Sequence, residues 1–141
     1  MKIKQETLEE NHFSYMSVPC PNPLPSTQNI VFIHGFPGRP QDFRWLIPEL
    51  QKHNLYFLAL PGQGMTPRST IGKSDLASNA SFVERCISHW GLDNFIIVGH
   101  SLGASIATHI ARNRSNCRGL VLISPVGIRP HRAFRNNNPK I

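Results

Sequence analysis

The protein has 141 residues, of which 40% are hydrophobic, a size and composition typical of one domain with a packed core. No apolar run approaches the roughly 20 residues that a transmembrane helix needs, and the charged N-terminus predicts no secretory leader. The cysteines Cys20, Cys86 and Cys117 are widely spaced, which predicts reduced thiols in a cytoplasmic protein and excludes a zinc or disulfide framework.

The charge of the chain is unevenly distributed. The formal net charge is +7, yet residues 1–93 hold eight basic and eight acidic side chains and are neutral overall. Residues 94–141 hold seven basic side chains and no acidic one, so Asp93 is the last carboxylate side chain. Arginine clusters can bind phosphate, but the basic tail contains a single aromatic ring, Phe134, and no nucleic-acid-binding motif. We therefore expect no nucleic-acid partner.

Residues 1–28 are interpreted as one or more N-terminal strands followed by a stiff connection. Phe13, Tyr15 and residues 16–18 predict an antiparallel strand. Prolines at positions 19, 21, 23 and 25 come next, and proline cannot donate a hydrogen bond to a sheet ladder. The connection therefore cannot lie inside a sheet.

Residues 29–125 are interpreted as the core of the domain, because short apolar runs alternate there with helical patterns. The apolar runs are residues 30–33, 55–60, 95–98 and 120–123. They lack the polar alternation of a half-exposed strand, so they predict strands buried on both faces, as in a parallel sheet.

Three segments between these runs have apolar residues at helical spacing: residues 43–50, 81–90 and 101–112. Pro48 either starts or bends the first helix, and Gly91 ends the second. Ser81 and Glu84 have the spacing of a capping box at the start of the second helix. We also expect three aromatic residues in the core: Trp45, Phe82 and Trp90.

This order of elements predicts an α/β fold, with a doubly wound, mostly parallel sheet and right-handed crossovers. The remaining residues, 126–141, form a basic tail with an asparagine run at 136–138 followed by proline. We predict that this tail is disordered.

The strongest motif is Gly99-His100-Ser101-Leu102-Gly103, which lies between a predicted strand and a predicted helix. A serine in G-x-S-x-G at such a junction is typical of a nucleophile elbow, a tight turn that holds the hydroxyl above the sheet. Side chains at positions 99 and 103 would clash in this turn, which explains both glycines. His100 is expected to support the turn by side-chain hydrogen bonds. The motif predicts that Ser101 is a nucleophile.

A second motif, His34-Gly35-Phe36-Pro37-Gly38, directly follows the strand predicted at residues 30–33. A turn at this end of a parallel strand leaves backbone N–H groups free, so the N–H groups of Phe36 and Leu102 together could bind an oxyanion. We expect His34 to hold the turn in place by hydrogen bonds.

A third motif, L-P-G-Q-G-M-T at residues 60–66, also follows a predicted strand. Its glycines are expected to form turns, since the segment does not open a helix as a phosphate-binding G-x-G-x-x-G does. Three strand ends would thus meet at one crevice, which is where open α/β sheets bind ligands.

With these three motifs the sequence resembles the α/β-hydrolase fold family over about residues 29–125. The resemblance implies that Ser101 is the nucleophile of a serine hydrolase that cleaves esters, thioesters or amides. It also implies that Phe36 and Leu102 form the oxyanion hole, that the Phe36–Pro37 peptide bond is cis, and that no metal or organic cofactor takes part. The resemblance covers only an N-terminal portion of the family's fold, up to about the sixth strand.

The family orders its catalytic residues as Ser, then Asp or Glu, then His. After Ser101 this chain has no acidic residue and two histidines, His109 and His131. His109 falls within the predicted helix, too far along it to return to Ser101, and His131 falls in the basic tail. We therefore expect weak activity of the chain alone.

The alternative is a catalytically inactive hydrolase-like chain that acts by pairing with another chain. A sheet that ends at the strand over residues 120–123 would leave an apolar edge exposed. That edge predicts a complementary chain or a second copy as the partner, beside a small-molecule acyl substrate. No membrane partner is expected.

Overall fold

A computed structural model describes residues 3–8 and 11–127. The strands are β1 (Ile3–Leu8), β2 (Asn11–Val18), β3 (Asn29–Ile33), β4 (Asn54–Leu58), β5 (Phe95–His100) and β6 (Cys117–Ile123), and the α-helices are α1 (Leu76–His89) and α2 (Leu102–Asn113). Short 3-10 helices cover Pro40–Leu46, Pro48–Leu50 and Arg68–Thr70. The predicted disordered tail lies outside the described residues from position 128 onward, and so does His131.

All six strands belong to one sheet, in the order β1-β2-β4-β3-β5-β6. Strand β2 is antiparallel to both β1 and β4, whereas β4, β3, β5 and β6 are mutually parallel. Each of the four predicted parallel strands is present, and each helix or turn segment carries the chain back to the start of the next strand. The prediction of an α/β fold with a mostly parallel sheet is therefore confirmed.

Apolar side chains on both faces of the sheet are buried. Val31 and Ile33 of β3 pack with α1 and α2 in the larger cluster, while Ile30 and Phe32 pack on the opposite face. On that second face Phe43, from the 3-10 helix, lies with its ring centroid 5.1 Å from the ring of Phe32. Because β3 is buried on both sides, its residues are apolar throughout.

The segment after β3 differs from its prediction. Residues 43–50 do not form an α-helix but two 3-10 helices, each of which begins with a proline, Pro40 or Pro48. Proline removes a hydrogen-bond donor and disfavours the α conformation of the residue before it, so no continuous α-helix forms. Trp45 is not in the core either: it is 75% exposed, since Phe43 takes the inward position two residues earlier. The guanidinium of Arg44 lies 4.5 Å from the centroid of the Trp45 ring.

Helix α1 begins earlier than predicted. Its N-cap is Asp75, whose Oδ1 accepts a hydrogen bond from the Ser78 N–H at 2.8 Å, so the capping box of Ser81 and Glu84 is wrong. Both of those residues lie inside the helix, whose first turn already contains Leu76 and Ala77. The stop at Gly91 is confirmed by its positive φ of 64°. Phe82 is fully buried, and Trp90 packs partly buried against the same cluster, as expected.

Strand β1 is mostly polar and exposed, so no hydrophobic pattern marks it in the sequence. It pairs with β2, and Glu6 attaches it further by accepting hydrogen bonds from the Tyr15 hydroxyl and from His89 Nε2. Burial and the Glu6 carboxylate both raise the pKa of Tyr15. Tertiary contacts, and not a hydrophobic pattern, therefore create this strand.

Strand β6 lies at the opposite edge of the sheet and pairs only with β5 among the described strands. Its apolar residues Leu120, Val121, Leu122 and Ile123 are 39%, 47%, 39% and 37% exposed. The prediction of burial on both faces is therefore confirmed for the central strands β3 and β5 but wrong for β6, since no strand pairs with its outer side among the described residues. The sheet therefore has a protected centre and one apolar edge that is open to solvent.

This contrast predicts different costs for the same substitution. Val31 is fully buried in β3, so Val31→Thr should lower the free energy of unfolding by about 1–3 kcal/mol, because the new hydroxyl loses water. Val121→Thr at the exposed edge should change it by less than about 0.5 kcal/mol. Urea denaturation of both variants measures the difference, and equal losses would contradict the burial described for β3.

Candidate functional site

The predicted elbow is the turn between β5 and α2. Ser101 has φ 53° and ψ −116°, in a region that non-glycine residues rarely adopt, and such strain is found mostly at functional sites. The residue precedes the helix as its N-cap, but its side chain makes no capping hydrogen bond. Its backbone N–H donates to the Ile123 carbonyl at 3.0 Å, which ties the elbow to the end of β6. The half-buried hydroxyl thus lies at the positive end of α2.

Both glycines of the motif are required by close backbone contacts. A Cβ at Gly99 would lie 2.3 Å from the Gly103 carbonyl oxygen, and a Cβ at Gly103 would lie 2.1 Å from the carbonyl oxygen of Ile33. Real Cβ atoms do not approach backbone this closely. Gly103 therefore allows the first turn of α2 to pack directly on the end of β3.

This packing brings the second motif to the elbow. A Cβ at Gly35 would lie 3.0 Å from Ser101 Cβ and 3.1 Å from His100 Nδ1, so the turn after β3 touches the serine. The Phe36–Pro37 peptide bond is cis. The backbone N–H groups of Phe36 and Leu102 have no hydrogen-bond partner within residues 3–8 and 11–127. Both donors are therefore available at the elbow.

A cavity of about 240 Å³ opens beside these donors. Phe36 and Leu102 line it together with Leu60, Gln63 and Leu76. The accessible surface of the cavity is mostly apolar, although half of its ten lining residues are polar, including Arg68 and Asp75. Apolar walls with a few polar groups are typical of small-molecule sites. Three strand ends meet at this crevice, as the motifs predicted.

His34 ties the turn after β3 to the end of β4. Its Nε2 accepts a hydrogen bond from the Leu60 N–H at 3.1 Å, which requires that Nδ1 carry the proton and donate it to the Gly35 carbonyl at 2.7 Å. The side chain is fully buried. Burial lowers the pKa of His34, partly opposed by the Gly35 carbonyl. The imidazole is therefore neutral and structural, as expected.

The third motif supports the other two through residues that sequence reasoning missed. Gln63 Oε1 accepts a hydrogen bond from the Gly38 N–H at 3.3 Å, which joins the third loop to the second. Thr66 is buried, and its Oγ1 accepts from the Ser14 N–H at 2.9 Å, which joins the loop to β2. Ser14 Oγ in turn accepts from the Met65 N–H at 3.3 Å. Spacing cannot reveal Ser14, because its partners lie some fifty residues away.

No imidazole from the described part of the chain approaches Ser101 along α2. His109 lies eight residues further along the helix, which is about 12 Å at 1.5 Å per residue. Among residues 3–8 and 11–127 no group of three or more His, Cys, Asp or Glu side chains could hold a metal ion. Neither α-helix in that part of the chain has the length and apolar character to cross a bilayer. All three cysteines are free thiols.

Comparison with known proteins decides the family. A model of the alpha/beta hydrolase family matches residues 30–140. The chain belongs to this family. The match begins within β3 and includes all three motifs.

Named relatives extend well beyond the region matched here. The chain is 27% identical over 126 residues to "Probable lysophospholipase BODYGUARD 3" of Arabidopsis thaliana, a match that covers 84% of this chain and 25% of the plant protein. It is 26% identical over 108 residues to 2-succinyl-6-hydroxy-2,4-cyclohexadiene-1-carboxylate synthase of Klebsiella pneumoniae, covering 76% of this chain and 42% of that one. The crystal structure of a bacterial membrane phospholipase A shares the fold, with a TM-score of 0.79 at 22% identity, covering 93% and 42% of the two chains. The chain thus spans less than half of each relative's length.

The close contact between α2 and β3 predicts that a methyl group added at Gly103 destabilises the fold. Gly103→Ala should lower the free energy of unfolding by about 1–3 kcal/mol or more, because the Ile33 carbonyl cannot yield to a Cβ. Gly72→Ala is the matched control, since a Cβ there meets nothing within 4 Å. Thermal denaturation compares the two, and an unchanged midpoint for Gly103→Ala would contradict this packing.

The buried imidazole predicts a pH dependence of stability. The folded chain binds a proton at His34 more weakly than the unfolded chain, in which the imidazole pKa is about 6.5. The contribution of His34 to the free energy of unfolding should therefore be fully present above about pH 6.5. This contribution should decrease as the pH drops below about 6.5 towards the lower pKa that His34 has in the folded chain. His34→Gln should weaken this loss and cost about 1–3 kcal/mol at pH 7.5 through the unpaired buried groups.

Urea denaturation at several pH values measures both effects. His109→Gln is the control for the loss of one imidazole and should keep the pH dependence of the wild type. An identical pH profile for His34→Gln and wild type would contradict the role of His34.

Proposed function

We propose that this chain carries the nucleophile and oxyanion hole of a serine hydrolase that acts on carboxylic esters, thioesters or amides. Ser101 Oγ would attack the acyl carbonyl carbon, and the N–H groups of Phe36 and Leu102 would stabilise the oxyanion. As the bond from the carbonyl carbon to the leaving oxygen, sulfur or nitrogen breaks, the proton lost by the Ser101 hydroxyl passes through water to the leaving group. Water then attacks the acyl-enzyme, which releases the acid and returns a proton to Ser101. The observation that carries the proposal is the strained Ser101 turn in contact with the Gly35 turn, where both donors are free.

Two further features support this chemistry. The position of Ser101 at the start of α2 favours negative charge in the transition state, since helix N-termini are electropositive. The cavity beside Phe36 and Leu102 is mainly apolar, which suits the acyl part of a lipid or other ester. A relative named as a lysophospholipase is consistent with ester substrates.

Loss of the proton from the Ser101 hydroxyl is expected to limit this chemistry. A serine hydroxyl is a weak nucleophile at neutral pH unless a base accepts its proton. After Ser101 the sequence has no acidic residue to orient a histidine, and His109 lies about two helical turns away from the elbow. In a well-studied serine protease the loss of serine or histidine lowers turnover by about 10⁶, while the oxyanion hole and binding retain ~10³–10⁴ over water. The chain alone should therefore be a slow catalyst.

The alternative function is an inactive hydrolase-like chain that works by pairing with another polypeptide. The exposed apolar residues of β6 favour this alternative, because such an edge tends to bind another strand. Reactivity of Ser101 distinguishes the two functions.

A fluorophosphonate probe tests the nucleophile directly. The Ser101 oxygen would form a bond to phosphorus as fluoride leaves and the hydroxyl proton passes to water. We expect slow labelling that reaches one probe per chain, that is lost in Ser101→Ala, and that is retained in Ser81→Ala, whose serine is exposed on α1. Intact-protein mass spectrometry follows the reaction. Equal labelling of wild type and Ser101→Ala would favour the inactive alternative.

A further inference from the structure

The cavity beside the elbow contains a charged group that the proposed reaction does not use. Of the described residues that line this cavity, Arg68 alone is cationic, and it shares the cavity with Phe36 and Leu102. Within residues 3–8 and 11–127 the Arg68 guanidinium makes no hydrogen bond, ion pair or ring contact. In small-molecule sites a charged group on a mainly apolar wall fixes the orientation of the ligand. Arg68 therefore favours a ligand with a negative charge.

The third motif holds the Arg68 side chain at the wall of the cavity. Gly62 has a φ of 81°, and a Cβ added there would lie 3.4 Å from Arg68 Cδ and 3.8 Å from Arg68 Nη1. The turn is closed by the Gly62 N–H, which donates a hydrogen bond to the Thr66 carbonyl at 2.9 Å. The stem of Arg68 thus rests on the glycine turn, while the residue stays exposed enough for its guanidinium to meet a ligand.

The acidic side chain of the same cavity has a different role. Asp75 caps α1, since its Oδ1 accepts a hydrogen bond from the Ser78 N–H at 2.8 Å. Hydrogen bonding from Ser78, helped by the charge of Lys73, lowers the pKa of Asp75, so this carboxylate is charged at neutral pH. It nevertheless forms no ion pair with Arg68 in the part of the chain that the structure describes. The helix thus uses the acid of the cavity, and the base remains available.

The volume of the cavity limits the size of the ligand. At about 240 Å³ it is smaller than the roughly 300–1,000 Å³ typical of sites for drug-sized molecules. A cavity of this size suits an acyl chain of a few carbons. Because a guanidinium binds a carboxylate through two parallel hydrogen bonds, a carboxylate at the far end of such a chain matches Arg68.

We propose that the acyl group of the substrate is short and ends in a carboxylate, which binds the Arg68 guanidinium while the ester carbonyl lies against the N–H groups of Phe36 and Leu102. Arg68 then determines specificity, because it holds the far end of the acyl chain and takes no part in bond breaking. The substrate class is the half-esters, half-thioesters or half-amides of short dicarboxylic acids. As a statement about substrates this inference rests on the proposed function, whereas binding of the two ends requires no reaction.

A matched pair of small ligands tests the preference. Monomethyl glutarate carries an ester and a carboxylate, and methyl 4-carbamoylbutanoate has a neutral amide of nearly the same shape in place of the carboxylate. NMR titration of the wild-type chain, followed at the amide signals of Phe36 and Leu102, should give about fivefold tighter binding of the carboxylate at low salt. The difference should shrink at about 1 M salt. Equal affinities at low salt would overturn the inference, and tighter binding of methyl 4-phosphonobutanoate would overturn the choice of a carboxylate.

Substitutions at the two charges of the cavity should change this preference in opposite directions. Arg68→Gln should reduce the ratio of the two affinities to about one, and Arg68→Lys should keep part of it, because the charge remains without the two-point geometry. Asp75→Asn should raise the ratio about twofold, since asparagine still caps a helix but no longer repels a carboxylate. Arg112→Gln removes the same charge at the exposed far end of α2 and should keep the ratio of the wild type. An equal loss in Arg112→Gln and Arg68→Gln would contradict the inference.

The fluorophosphonate reaction separates this inference from the proposed function. Monomethyl glutarate should slow the labelling of Ser101 more than its amide does, because it occupies the cavity beside the serine for a larger fraction of the time. Labelling that depends on Ser101 but is slowed equally by the two ligands would contradict only this inference. Absence of labelling, together with a carboxylate preference that Arg68→Gln abolishes, would contradict only the proposed function.

Discussion

Where α2 begins, its backbone lies against the carbonyl oxygens of Ile33 and His34 at a separation that leaves no room for a side chain on Gly103. Close packing of this kind is rigid, because neither backbone can shift without moving a whole element. The contact places the start of α2 and the end of β3 together, and with them Ser101 and the Gly35 turn. The cavity beside Phe36 and Leu102 exists because these two backbones meet.

Around this contact the loops are held by hydrogen bonds from a few buried or half-buried polar groups. His34 connects β3 to β4, Gln63 connects the second motif to the third, and Thr66 connects the third to Ser14 on β2. Buried polar groups are costly when unpaired, so each such pair specifies one arrangement of the loops. Preorganisation matters for the proposed chemistry, since an oxyanion hole works only if its donors are already in place.

The two edge strands of the sheet, β1 and β6, differ in polarity. Strand β1, at one edge, is mostly polar, while β6, at the other edge, presents apolar residues to solvent. The chain also changes from electrically neutral to strongly basic near β5. Exposed apolar residues thus lie on the strand whose last residue, Ile123, accepts a hydrogen bond from the Ser101 N–H of the elbow.

The sequence alone determined the parallel sheet, the elbow and the two glycine-rich loops. Continuous apolar runs indicate burial on both faces in β3 and β5, though not in β6, and the glycines at 99 and 103 indicate backbone contacts that leave no room for a Cβ. Signals of this kind are local. The structure decided the rest. Trp45 faces solvent because Phe43 fills the inward position, α1 is capped by Asp75 and starts before Ser81, and the polar strand β1 forms through β2 and Glu6. The partners of Ser14 and His34 also lie far away in the chain, so only the folded arrangement pairs them, because hydrogen bonds between distant segments leave no periodic pattern in the sequence.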